Sequence, residues 1–163
     1  MWSPGYGKRV KPLDVLGVRV EMPTNQPIVL LRERDGARHL PIWIGAAEAT
    51  AIAYAQQGVV PPRPLTHDLL VNVVTALGDE LRTVRIERID DGVYYATLVL
   101  GSGVEIDSRA SDAIALAIRT GAEVLTTEDL LAESGITLAE ETDDEVEKFK
   151  EFLDHISPED FDA

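Results

Sequence analysis

Apolar and polar positions change period several times along the chain, and each change marks an element. Residues 11–22 are rich in Val and Leu and read as a strand. Residues 23–27 hold two prolines and an asparagine and break that run as a turn. Residues 28–31 form a second apolar run, and Asp35-Gly36 marks a hairpin turn after it. Residues 39–44 then alternate, with Leu40, Ile42 and Ile44 on one face and His39, Pro41 and Trp43 on the other. Pro41 has no N–H to give to a ladder, so an edge position is expected. Residues 45–57 read as an alanine-rich helix that stops at Gly58, and so many small side chains imply close packing against a neighbour. A proline-rich loop, residues 59–64, follows. Thr66 is the expected N-cap of a helix over 67–77 that ends at Gly78. Its expected buried stripe is Leu70, Val73, Val74 and Leu77, with Asp68, Asn72 and Thr75 on a polar stripe.

The second half repeats the exercise. Leu81–Asp90 and Val93–Leu100 form the clearest hairpin, joined by Asp91-Gly92. Gly101–Gly103 makes a tight turn into a short strand, residues 104–107. A helix over Ala110–Thr120 ends at Gly121, and it is apolar on all sides through Ile118, so burial is expected. A short strand at 123–126 and a short helix at 127–134 complete the body. Residues 143–156 read as a polar helix with Val146, Phe149 and Leu153 at helical spacing. Strands, two helices, more strands and a helix describe an α+β protein with a mainly antiparallel or mixed sheet packed against helices. The expected division is a flexible N-terminus at 1–10, one domain at 11–136, and an acidic C-terminal tail at 137–163.

Composition narrows the function classes. The chain has 163 residues, enough for one domain with an ordinary core. It has no cysteine, so disulfides, thiolate catalysis and thiolate metal sites are ruled out. Met1–Lys11 has no apolar stretch of the signal-peptide kind, and no apolar run reaches the roughly 20 residues that span a bilayer. No membrane association and a cytoplasmic location are therefore expected. The net charge is −14, and residues 140–163 alone carry 11 acids against Lys148 and Lys150. Long-range attraction to phosphate needs positive surface, so any nucleic-acid function must rest on a local patch or on bound cations.

Three segments carry candidate chemistry, each at the head of a helix. In the first, Ser108 is an expected N-cap, and Asp107 and Asp112 are candidate ligands for Mg²⁺ or Mn²⁺. Arg109 and Ser111 there would hold phosphate. The alternative is that Ser108, Ser111 and Asp112 only cap the helix, with Asp112 paired to an arginine. In the second, a rigid loop delivers Arg63, His67 and Asp68. Arg63 would bind phosphate, His67 would be a base or a metal ligand, and capping is again the alternative. In the third, Glu48 falls near the third position of its helix, a common capping position, and is also a candidate metal ligand. If the three heads meet, several carboxylates, His67 and two arginines converge.

Ser108-Arg109-Ala110-Ser111-Asp112-Ala113-Ile114-Ala115-Leu116-Ala117 resembles the signature of the bifunctional nuclease domain family. So do Leu40-Pro41-Ile42-Trp43-Ile44-Gly45 with Glu48-Ala49, and Arg63-Pro64-Leu65-Thr66-His67-Asp68-Leu69. The similarity spans roughly residues 15–131 and is specific only when the three are taken together. Ala110 departs from it, since the family pattern has proline there, and either residue suits a first helical turn. The resemblance implies a compact, often oligomeric α+β domain that cleaves DNA and RNA. His67, Asp68, Asp107 and Asp112 are then the expected catalytic set, Arg63, Arg109 and Ser111 the substrate contacts, and Glu48, Asp107 and Asp112 the metal ligands. Expected partners are nucleic acid as substrate, a second copy of the chain in a dimer, and a basic protein for the acidic tail. The rival expectation is a non-catalytic module that recognises a small anion or a protein partner.

Overall fold

The computed structural model describes residues 9–138, so the polar helix expected at 143–156 lies outside the described residues. The chain runs β1 (Val10–Glu21), β2 (Gln26–Glu33), β3 (Arg38–Trp43), α1 (Ala46–Gln57), α2 (Thr66–Ala76) and β4 (Leu81–Asp90). It continues through β5 (Val93–Leu100), β6 (Glu105–Arg109), α3 (Ala110–Thr120), β7 (Glu123–Thr127), α4 (Glu128–Ser134) and β8 (Ile136–Thr137). The eight strands form one mixed sheet in the order β6-β5-β4-β7-β1-β2-β3-β8. Every neighbouring pair is antiparallel except β4 and β7, which the helical crossover through α3 makes parallel. The α+β reading of the sequence holds.

The β4–β5 hairpin matches its sequence signal because Asp91 and Gly92 both take positive φ, 50° and 76°, as a tight two-residue hairpin turn requires. The helix α3 is the centre of the core: Ala110, Ser111, Ala113, Ile114, Ala115, Leu116 and Ala117 are all buried. It packs on the middle strands and is flanked by α1 and α2. Small residues on α1 and α3 let the two helices approach closely, and Ala49 and Ile52 of α1 are fully buried. Truncating Ile114, which is fully buried, to alanine would cost about 2–5 kcal/mol.

Four local expectations are corrected. The helix α2 has no buried residue, and Leu69, Leu70, Val73 and Leu77 are exposed. Its inward face is His67, Asp68, Val71 and Val74, because it is docked by its polar head rather than by its leucines. Thr66 is its first residue and not its cap; the Leu65 N–H donates instead to the Asp68 carboxylate at 3.1 Å. Ser108 does not cap α3, since the strand β6 runs straight into the helix and the Ser108 hydroxyl donates to the Arg109 carbonyl at 2.8 Å. The strand β3 is an outer strand but not the last one. The two-residue β8 pairs with Arg38 and His39, which leaves Pro41 beyond the end of that pairing.

Candidate active site at three helix heads

The sheet order brings the heads of α1, α2 and α3 to one place. Glu48 sits at the third position of α1, His67 at the second of α2, and Arg109 and Asp112 on either side of the start of α3. The Arg109 guanidinium joins them. It donates through Nε to Asp112 Oδ2 at 2.8 Å, through Nη2 to Asp112 Oδ1 at 3.1 Å, and through Nη1 to Glu48 Oε1 at 2.8 Å. His67 Nε2 lies 2.9 Å from the same Oδ1. The result is a chain Glu48–Arg109–Asp112–His67 across four elements, α1, β6, α3 and α2.

The charge states follow from these contacts. Burial pushes the Asp112 carboxyl up, but hydrogen bonds from Arg109 and His67 outweigh it and hold the group below the usual aspartate range. The Glu48 carboxyl is lowered by its own backbone N–H and by Arg109. Arg109 is held more firmly protonated by Asp112 and then by Glu48. An ionised Asp112 can only accept, so the hydrogen in its contact with His67 sits on Nε2. In the neutral ring that leaves Nδ1 as the nitrogen with the free lone pair.

The heads open on a cleft of about 790 Å³ lined by Glu48, His67, Arg109 and Asp112, with Ile106, Asp107 and Ser108 from β6. Asp107 borders the cleft but does not join the chain of contacts. Its register partner is Thr97, whose partner in turn is Arg85, so strand alternation turns it to the face where Arg85 meets Glu105. Arg63 is exposed on the loop before α2 and does not line the cleft. Ser111 is buried in α3. Asp68 faces away from Asp112 and accepts from Arg119 Nε at 2.8 Å.

Arg119 is the residue that the sequence did not single out. It is nearly buried, and it also donates to the carbonyls of Ala115 at 2.9 Å and Ala51 at 3.1 Å. One guanidinium thus ties α2 to α3 and α1 and fixes the position of His67. The only sequence signal was a cation in the last turn of an otherwise apolar helix.

Among the described residues, no group of three or more His, Asp or Glu side chains is arranged to hold a metal ion. Glu48 and Asp112 converge, but on the Arg109 guanidinium, which stands where a cation between them would stand. The side chains as placed do not fit a divalent ion, and the chemistry below uses the chain's own groups.

The sequence model of the bifunctional nuclease domain matches residues 29–139. The chain is also 50% identical over 158 residues to a Mycobacterium tuberculosis protein named only as uncharacterized, found in two strains, covering 91% of this chain and 96% of that one. It is 28% identical over 122 residues to "Bifunctional nuclease 2" of Oryza sativa subsp. japonica, covering 71% of this chain and 38% of the rice protein.

Proposed function

This chain belongs to the bifunctional nuclease domain family, and from that premise we propose that it hydrolyses phosphodiester bonds of DNA, RNA or both. The observation that carries the proposal is the contact of 2.9 Å between His67 and Asp112 in a cleft that also presents Arg109. A histidine with a carboxylate on one ring nitrogen and a lone pair on the other is a general base with a fixed tautomer. His67 would take a proton from a water molecule as the water oxygen bonds to phosphorus. The phosphorus–oxygen bond to the leaving sugar breaks, and the leaving oxygen takes a proton from solvent. Arg109 is the phosphate contact. Two carboxylates hold it in place, yet its side chain is 64% exposed, so its remaining N–H groups face the cleft and solvent. Arg63, on the loop above, is proposed as a contact to a neighbouring phosphate.

Asp112 is a positioning residue in this scheme, and so is Glu48. Asp68 and Ser111 build the scaffold. A divalent ion, Mg²⁺ or Mn²⁺, would reach Glu48 and Asp112 only if Arg109 swung out, so the proposal predicts cleavage that persists in EDTA. Turnover of labelled DNA and RNA by the wild type and by His67→Ala tests the reading. A loss of about 10²–10⁴-fold in kcat is expected for the variant, and no turnover by either protein would overturn it.

A second reading is favoured by one observation, the pairing of Arg109 with two carboxylates, which needs no chemistry to explain it. In that reading the cleft only binds a small anion. Phosphate binding without any cleavage of nucleic acid would select it.

The proposal extends to assembly and setting. Leu69, Val73 and Leu77 form an open apolar stripe on α2, 54%, 45% and 80% exposed. A second copy of the chain is the proposed occupant, as the dimer expectation requires. A cytoplasmic location and a basic partner for the acidic tail belong to the same proposal. No helix among the described residues is long and apolar enough to cross a membrane.

A further inference from the structure

A second cavity of about 330 Å³ continues from the cleft, between α2 and the strands β5 and β6. Leu70, Leu98, Ile106 and Leu116 wall both spaces, so together they make one trough. The trough is polar at one end, at Glu48, His67, Arg109 and Asp112. At the other it is apolar, with Val74 and Leu81 added to the shared walls. Leu70 and Ile106 are each 41% exposed, so these two walls are open apolar surface, while Leu98 and Leu116 are buried beneath them.

We infer that the apolar arm takes one unpaired nucleobase of the strand being cut, so the substrate class is single-stranded nucleic acid. The inference rests on the nuclease reading of the same trough. A nucleotide next to the scissile phosphate has the same two-part character, an anionic group joined to a flat ring of low polarity. With the phosphate at Arg109, its base has the shared walls within reach. Arg119 also borders the arm, but its Nε, Nη1 and Nη2 already donate to Asp68, Ala115 and Ala51, and the other polar groups there suit a base edge. The Thr75 and Thr120 hydroxyls already donate to the carbonyls of Val71 at 3.0 Å and Leu116 at 2.9 Å, so they face a ligand as acceptors. The Glu80 carboxylate beside them is an acceptor too. Ring N–H and amino groups of a base are donors. A base paired in a duplex keeps its edge in the pair and its faces in the stack, so it cannot enter unless it leaves both. A single strand offers it at little cost.

The test compares three fluorescently labelled substrates with the full chain: a single strand, the same strand in a duplex, and a strand of tetrahydrofuran abasic units. Cleavage of the single strand at least tenfold faster than of the other two is expected. Ile106→Glu puts a charge into the arm, and Leu70→Glu does the same from the opposite wall. Both positions are partly exposed, and thermal melting checks that each variant folds. Each should bring the single strand down to the abasic rate. Equal rates on all three substrates would overturn the inference and leave the nuclease reading intact. No cleavage of any of them would remove the nuclease reading. In that case binding of a strand carrying 2-aminopurine decides the inference: a fluorescence change abolished by Ile106→Glu supports it, and none overturns it.

Discussion

At the residue scale, the site is a competition for Asp112. Arg109 holds both oxygens of the carboxylate and His67 shares Oδ1 with it, and both contacts need it ionised. Asp112→Asn keeps the shape but offers an amide that can present its N–H to His67. The wrong tautomer then becomes available, and kcat should fall by about 10²–10⁴-fold with KM little changed. Steady-state kinetics on a single-stranded oligonucleotide check this. Gly45 matters for a different reason. Its φ of −81° suits any residue, but a Cβ there would fall on the Glu48 carboxylate. Gly45→Ala should therefore swing Glu48 off Arg109, cost about 1 kcal/mol and lower Tm by about 2–4 °C. Calorimetry of Gly45→Ala beside Glu48→Ala measures whether the two match. The sequence made Glu48, His67, Arg109 and Asp112 visible as helix-head residues. It could not show that they touch, because His67 and Asp112 are 45 positions apart and only the folded sheet closes that distance.

At the element scale, α2 is the piece that the hydrophobic pattern misplaced. Of the expected stripe Leu70, Val73, Val74 and Leu77, Val74 alone turns inward, beside Val71, so a rule that buries the larger stripe picks mostly the wrong face. What docks α2 is polar: His67 to Asp112 and Asp68 to Arg119. Arg119→Ala leaves the Asp68 carboxylate without its guanidinium partner and removes the link to the α1 and α3 carbonyls, and a loss of about 3 kcal/mol is expected in urea unfolding. Arg119→Lys should not restore it, because one ammonium cannot serve three acceptors spread over three helices. The pH dependence has the same source. Arg119, foremost, lowers Asp68, and the Arg109 and His67 hydrogen bonds lower Asp112 against burial. Groups with folded values below their unfolded ones contribute stability that is complete above the unfolded range of about 4. That stability is lost as pH falls through the folded values. Tm should stay level from about pH 8 to 5 and drop below about 4, with Asp68→Asn flattening part of the drop. By contrast the β4–β5 hairpin and α3 were legible to the residue, since Asp91-Gly92 and Gly121 mark their ends by backbone geometry alone. The two-residue β8 carries too little pattern to be read.

At the scale of the whole molecule, charge sets the terms on which a polyanion can approach. The net charge is −14, so binding must come from a few close contacts and from the trough rather than from a basic surface. If Arg109 and Arg63 meet one phosphate each, log KM on a single strand should rise with log salt at a slope of only about 1.4. A basic nuclease with many phosphate contacts would show several times that. The exposed stripe on α2 belongs to this scale too. Leu69→Glu with Leu77→Glu should shift the mass seen by light scattering from dimer to monomer while melting stays cooperative. The strand order that joins these features, with β7 inserted between β4 and β1, follows from long-range pairing that no local pattern encodes. The central claim remains that His67 and Asp112 act together on a phosphodiester. It is tested most directly by single-turnover cleavage of a labelled single strand in EDTA with wild type, His67→Ala, Asp112→Asn and the double variant. The account predicts cleavage by the wild type, and a double variant no slower than His67→Ala alone. Absence of cleavage by the wild type, or losses in the two single variants that multiply in the double, would contradict it.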